Sequence, residues 1–330
     1  MTQRHLKILL AVFFVVLNMS AQQRAIFSHY MFNHYYINAG AAGSGEMVAV
    51  NIIQRNQWIG IDGAPVSTDF NVHAPFKLFG TQSAFGVDVI RDELGFNLDT
   101  DLKLGYAMRF NVGNGKLSIG IAGGFIYPTL DAEFIYNESD IGNGYGQTGD
   151  DPFNPPSSYE NKFLFNLDGG IYYYTDDLYL GISSSRVNAP ELEYSSESGN
   201  TTTSGIYDFT RHYYLITGYN VYLANPAFEI QPSFIVETDG KVMSFDINGM
   251  LVYNKKVWGG VSYRNAQASY LIGMIGLELM ENLNIGLAYD CPSFKWLSNF
   301  TSGTVEIMLN YNFSLSVEKT TQRYKSIRYL

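Results

Sequence analysis

The chain has 330 residues and a formal charge of −10, with charged side chains at only 16% but 25 Tyr and 22 Phe. The acidic balance argues against nucleic acid or an anionic surface as partner. Soluble domains usually carry about a quarter charged residues, so so little charge with so many aromatics points to a chain that shows apolar surface to something other than water.

The chain opens with Arg4 and Lys7, an apolar run from Ile8 to Leu17, then Ser20 and Ala21. This is the pattern of a secretory signal (1–21) cleaved after Ala21, with a core too short to span a membrane as a helix. No cysteine follows it, so a lipoprotein anchor is not indicated. The sole cysteine, Cys291, excludes an internal disulfide. Residues 22–45 form a second segment, rich in aromatics and ending in a Gly/Ala-rich turn. Such a stretch folds into a barrel as a plug, packs under its mouth, or serves as a periplasmic linker.

From 46 to 313 the chain alternates apolar and polar side chains in short runs, the signature of strands with one oily and one wet face. In chain order the expected strands are Met47 to Arg55, Thr68 to Phe76, a short one from Ser83 to Arg91, Asp101 to Val112 and Lys116 to Tyr127. Next come Phe163 to Tyr174, Leu178 to Ser184, Arg211 to Tyr222, Phe228 to Glu237 and Val242 to Tyr253. The last four are Val257 to Tyr263, Ser269 to Leu279, Leu283 to Tyr289 and Thr304 to Phe313. Both faces of Arg211 to Tyr222 are apolar, which leaves its register open. About 14 strands, an even number, fit an all-β transmembrane antiparallel barrel with an N-terminal extension and a periplasmic C-terminal tail. A soluble sandwich or propeller is the rival. Runs of about ten to twelve residues exceed the five or six usual in soluble strands, and no 40-residue repeat appears.

Every second link is a tight turn, whereas others, such as Pro128 to Lys162 and Arg186 to Phe209, are long. Short periplasmic turns and longer outer loops are the bacterial outer-membrane arrangement, and an even strand count then puts both termini on the periplasmic side. Phe110, Tyr173, Tyr222, Tyr253 and Phe313 lie beside the short turns; Tyr127, Phe163, Tyr263 and Tyr289 lie at the other strand ends. These are two expected aromatic girdles. Asp88, Lys103, Arg109, Asp168, Asp246 and Glu306 all fall on the lumen face, where they line a pore or pair into a network that fills a closed lumen.

Catalytic signatures are nearly absent. The histidines His29, His34, His73 and His212 lack metal-ligand spacing, and no nucleophile elbow or phosphate-binding Lys motif occurs. His212 with a neighbouring Ser is the one candidate for a barrel enzyme. Gly144-x-Gly146-x-x-Gly149 matches a dinucleotide pattern by letters alone, in a polar loop without the flanking strand and helix. Asp140, Asp150, Asp151 and Glu160 in that loop read as a solvated surface more readily than as a calcium site. The expectation is no enzyme and no cofactor. The tail from Ser314 loses alternation and carries Lys319, Arg323, Tyr324, Lys325 and Arg328; Arg323, Tyr324 and Arg328 are candidates for periplasmic docking, with a disordered end as the alternative.

The segment from Phe27 reads FSHYMFNHYYINAGAAG and is followed by Arg55-Asn56-Gln57-Trp58-Ile59-Gly60-Ile61-Asp62-Gly63-Ala64-Pro65. Together with Trp258 to Arg264, Glu306-Ile307 and the ending Arg328-Tyr329-Leu330, this resembles the PorP/SprF family of type IX secretion outer-membrane proteins of the Bacteroidota. Phe32, Asn33, Tyr36, Ile37, Asn38, Gly43, Arg55, Gln57, Trp58, Gly60, Gly63 and Pro65 carry the resemblance. His34 and Ala39 stand at two usual proline positions, and Val305 where a His often precedes Glu-Ile. The resemblance implies a non-enzymatic component of the secretion or gliding machinery in the bacterial outer membrane. It also implies outer-membrane lipid, periplasmic type IX components and a secreted surface protein, or its C-terminal sorting domain, as partners. The competing reading is a porin or small-solute channel. Trp58 reads as a girdle residue or as part of a binding surface, the girdle being the favoured expectation.

Overall fold

The computed structural model describes residues 24–130, 162–198, 201–266, 269–292 and 301–314. The expected export signal, the loop holding Gly144 to Gly149 and its acidic residues, and the tail residues Arg323, Tyr324 and Arg328 lie outside them. The strands are β1 (Val48–Asn56), β2 (Val66–Leu78), β3 (Thr81–Leu94), β4 (Asn97–Val112), β5 (Gly115–Leu130), β6 (Leu164–Tyr174) and β7 (Leu178–Ser185). A hairpin of β8 (Glu191–Ser198) and β9 (Thr201–Asp208) follows. Then come β10 (His212–Tyr219), β11 (Val221–Tyr222), β12 (Phe228–Thr238), β13 (Met243–Tyr253), β14 (Val257–Asn265), β15 (Ser269–Met280), β16 (Leu283–Pro292) and β17 (Thr304–Phe313).

Each wall strand pairs antiparallel with its neighbours in the chain, β1 pairs with β17, and β10 pairs with β12. The short β11 continues β10 along β12, so the wall is a closed 14-strand barrel, and β8–β9 form a separate two-stranded sheet. Closure leaves no unpaired wall edge, which is the only way a sheet can cross hydrocarbon.

The alternation decides which face meets lipid. Along β17, Thr304, Glu306, Met308 and Asn310 are buried while Ile307 and Tyr311 are exposed. Leu102, Leu104, Ile119, Ile121, Ile171, Ile182, Val261 and Ile275 are likewise exposed on the outer wall. An apolar band of this size has no place in water. Ile275, halfway along β15, is 64% exposed. Ile275→Lys is expected to cost about 2–4 kcal/mol in bilayers, read from reversible urea unfolding in lipid vesicles.

Several expectations need correction. The third strand is not short: β3 runs for 14 residues, its outer end continuing through Asp92 and Glu93, which pair with Ser67 and Val66 of β2. The strand at 211–222 takes the register that buries His212, Tyr214 and Ile216 and exposes Tyr213 and Tyr219. Its inner face is apolar because it packs on the aromatic N-terminal segment, not on water. The link 186–209 is no plain loop, since it holds the β8–β9 hairpin. The outer links are not uniformly long, either: 95–96 and 239–242 are as tight as the inner turns. Residues 24–45 lie within the lumen, in one short helix, His34–Ile37, flanked by 3₁₀ turns at Tyr30–Phe32 and Ala39–Ala41.

Candidate functional site

The lumen is where the sequence-predicted residues converge. Phe27, Tyr30, Tyr36, Ile37 and Ala41 of the N-terminal segment form one apolar cluster with Ile53, Tyr172, Tyr214, Ile216, Ile235, Met250, Trp258, Ile272 and Met308 of the wall. Phe32 lies against Trp258, with ring centroids 4.8 Å apart. Tyr36 donates its hydroxyl to the Ala25 carbonyl at 2.8 Å. The wall makes room for this segment by omitting side chains. A Cβ at Gly120 would overlap the Ala39 backbone, and one at Gly170 would overlap the Asn38 carboxamide, so these inward positions must be glycine for the segment to pass.

Polar side chains fix the segment's register, as buried polar groups must be paired. Asn33 donates to Asp69 at 2.6 Å and accepts from Asn71 at 2.7 Å. Asn38 donates to the carbonyls of Ile171 (3.0 Å) and Ile182 (3.3 Å), and accepts from the Gly40 amide at 2.8 Å. Its carboxamide thus bridges two wall strands. Gly43, at φ +69°, donates its amide to His73 Nδ1 at 3.1 Å. Its carbonyl accepts from Arg109 Nη1 at 2.7 Å, and Arg109 also meets Glu46 at 2.7 Å.

The charged lumen residues pair rather than line a pore. Arg55 donates to Asp290 at 2.6 Å, to Glu306 at 3.1 Å and to the Ser28 hydroxyl at 2.9 Å. Glu306 in turn accepts from the backbone amides of Ser28 (2.7 Å) and His29 (2.8 Å), and from His29 Nδ1 at 2.7 Å. Arg264 joins Asp246 at 2.7 Å and Asp290 at 3.3 Å, and donates to the carbonyls of Ile26 and Phe27, both at 3.3 Å. A second cluster centres on Lys103, 2.9 Å from Asp168, 3.3 Å from Asp88 and 3.9 Å from Asp101. Opposite charges share donors and acceptors closely enough that each offsets much of its partner's desolvation. Around the segment, the lumen keeps cavities of about 10 Å³, one lined by Ala25, Tyr30, Asn33 and Tyr214 and one by Ile26, Glu237, Asp246 and Arg264. Each is room for about one water.

The remaining motif residues build the outer rim. The 57–65 loop turns through Gly60 (φ +99°) and Gly63 (φ +71°), and is closed by the Gln57 amide on the Pro65 carbonyl at 2.9 Å. It is tied to the far side of the β1–β17 seam by Ile59 N–H to Gly303 O (2.8 Å) and Ser302 N–H to Ile59 O (2.9 Å). Trp58 is not a lipid-facing girdle residue. Its indole N–H donates to the Tyr270 hydroxyl at 3.1 Å, and Tyr270 is a buried lumen residue. Ile59 and Ile61 are exposed at the loop's crest. The base of the β8–β9 hairpin is held by Leu192 and Phe209 packed on Ile126, with Arg186 stacked 4.9 Å over the Phe209 ring.

Sequence reasoning missed Ser28 and Asp290 as lumen partners. Asp290 lies one residue past the expected end of its strand; Ser28 lies in the extension, where no alternation marks a facing direction. His212 stands 2.9 Å from Glu237 and opposite Ser185, but all three are buried. Among the described residues, no group of three or more His, Cys, Asp or Glu side chains is arranged to hold a metal ion.

The solved structures similar to this chain are outer-membrane barrels. They include the CymD monoaromatic hydrocarbon channel (12% identity, 81% of this chain and 87% of that one, TM-score 0.45). Omp33 of Acinetobacter baumannii matches at 8% identity over 81% and 98% of the two chains, TM-score 0.46. The toluene transporter TodX of P. putida matches at 11% over 82% and 89%, TM-score 0.42. No curated protein matches in sequence. The family model for the type IX secretion system membrane protein PorP/SprF matches residues 19–311. With its closed apolar wall, the chain is an outer-membrane protein, and it belongs to the PorP/SprF family of type IX secretion system membrane proteins.

Proposed function

We propose that this chain is a non-enzymatic anchor of the type IX secretion or gliding machinery. It holds, or helps deliver, a secreted surface protein at the outer face through that protein's C-terminal sorting domain, in concert with periplasmic secretion components. The observation that carries this reading is the filled lumen. Residues 24–45 occupy it and bond to the wall from Ser28 to Glu46, which supports a scaffold over a conduit. Recognition then falls to the long-loop end, where a rigid wall presents the 57–65 rim and the β8–β9 hairpin. Loops on rigid scaffolds are the usual place for specificity.

The test is retention of a secreted protein in native membranes. Pull-down of the intact chain is expected to recover one secreted surface protein. Replacing 191–208 by a short Gly/Ser turn is expected to cut that recovery at least tenfold while the barrel keeps its heat-dependent gel shift. Recovery of no secreted protein by the intact chain would overturn the reading, and unchanged recovery after the replacement would exclude the hairpin as its contact.

A further inference from the structure

The outer wall from β13 to β17 carries an apolar groove of about 790 Å³. Leu251, Gly259, Ile275, Leu287 and Ile307 stand opposite one another across the five strands and form its upper bank. Tyr253 and Val257 begin the lower bank, at the short turn 254–256. Four inter-strand spacings make the groove roughly 19 Å long. That is enough for a hydrocarbon chain to cross one leaflet obliquely, half of a core of roughly 30 Å. Between the banks the floor is Gly276 facing Gly286. On the lumen side Trp258 lies over both: a Cβ at Gly276 would overlap its ring, and one at Gly286 would meet its Cη2. These two glycines make room for the indole that packs on Phe32. Gly259 is different. It points outward, and a Cβ there would meet only the Met274 carbonyl, at 3.6 Å, an ordinary contact. The fold has room for a side chain at 259 and holds none. Glycine inside a strand weakens it and marks the close approach of a ligand.

Two polar features lie at this groove. The side of the Trp258 ring over Gly276 is the one that carries Nε1. That donor, in a residue only 5% exposed, has no hydrogen-bond partner among the described residues, although a buried indole N–H usually finds an acceptor. The lower bank ends at a cationic turn, where Lys255 and Lys256 are both exposed. Of the acids nearby, Glu229 reaches Lys255 only at 3.9 Å, and Glu278 accepts from the Asn282 amide at 2.6 Å. We propose that the groove seats one acyl chain of an anionic phospholipid of the periplasmic leaflet, the leaflet on the short-turn side, with its phosphate held at Lys255 and Lys256. The ester oxygens of that lipid lie beside the floor, toward the unpartnered indole N–H. A headgroup with a cation of its own would set that cation against the same two lysines, which favours a phosphate that lacks one. The chain as a whole is acidic, so the match is local to this turn. The bound chain would back the wall at the point where it has no side chains of its own, behind the contact of Trp258 with Phe32. None of this rests on the anchoring reading.

Trp258 is also the reporter. The chain has three tryptophans, so Trp58→Phe with Trp296→Phe leaves it alone. This chain is placed in phosphatidylcholine vesicles in which about a tenth of the lipid is brominated on its acyl chains, either phosphatidylglycerol or phosphatidylcholine. Bromine quenches indole fluorescence at close range. Brominated phosphatidylglycerol is expected to quench about threefold more than brominated phosphatidylcholine at the same fraction. Gly259→Leu, which fills the groove from its upper bank, is expected to remove that excess, and so is Lys255→Gln with Lys256→Gln. Equal quenching by the two lipids in the unaltered groove overturns the proposal. So does an excess that survives Gly259→Leu, since the lipid then lies elsewhere. Quenching by both lipids below their share of the bilayer also overturns it, because a second copy of the chain then covers this face. Should Gly259→Leu lose the heat-dependent gel shift of the folded barrel, the lysine variant, in an exposed turn, gives the same reading, and an excess that survives it overturns the assignment. The experiment needs no secreted partner, so its failure leaves the anchoring reading standing, and failure of the pull-down leaves the lipid site standing.

Discussion

Arg55→Met is expected to destabilise the barrel by about 3–5 kcal/mol, the cost of leaving buried carboxylates without their counter-ion. Asp290 and Glu306 are each fully buried. Both would lose an Arg55 bond, and the Ser28 hydroxyl would lose one of its links to the wall. Urea unfolding in lipid vesicles reads the loss directly. The contrast is Arg91→Ala, which breaks an ion pair with Glu93 whose side chains are 57% and 43% exposed; exposed pairs contribute about 0–1 kcal/mol. Adding Asp290→Asn and Glu306→Gln to Arg55→Met is expected to recover part of the stability, because the penalty comes from uncompensated charge rather than from lost volume. Equal, small effects of Arg55→Met and Arg91→Ala would mean that the network is solvated, and the lumen wet.

The second large effect concerns the segment itself. Removing residues 24–43 deletes no wall strand, since the wall begins at Val48. The closed sheet is therefore expected to assemble. It would lose the packing of Phe27, Tyr30, Tyr36 and Ile37 on the inner wall. At about 1.5–3 kcal/mol for each large apolar side chain, the variant should unfold at clearly lower urea. It should also acquire a steady ionic conductance in planar bilayers, because Gly120 and Gly170 and the charges of Arg55, Lys103, Asp290 and Glu306 would then border water. Gly120→Val tests the same contact by a single change: its side chain meets the Ala39 backbone, which cannot give way as a flexible side chain would.

The wall was legible in the sequence because alternation is a local property. Each strand in lipid must separate oily from polar residues on its own, so β17 and β4 announce their faces within ten residues. Alternation failed at β10, where the inner face carries Tyr214 and Ile216 because its neighbour is the aromatic segment. An apolar inner face cannot be told from an apolar outer face by periodicity. The inward charges were legible one by one. Their pairing was not, since Arg55 and Glu306 lie 251 residues apart, and only the closure of β1 on β17 brings them together. The β8–β9 hairpin escaped notice because its apolar residues, such as Leu192, Ile206 and Tyr207, are too few to set up an alternation among Ser, Thr and Glu. The rim residue Trp58 shows a further limit: a tryptophan at a strand end reads as a girdle residue until Tyr270, from a distant strand, supplies an acceptor in the lumen.

The measurement that bears most directly on a filled, partner-holding barrel is the conductance of the purified intact chain in a planar bilayer, beside the variant lacking 24–43. A silent intact barrel and a conducting variant are the expected pair. A large, steady conductance from the intact chain would contradict the filled lumen, and with it the assignment of an anchor over a channel.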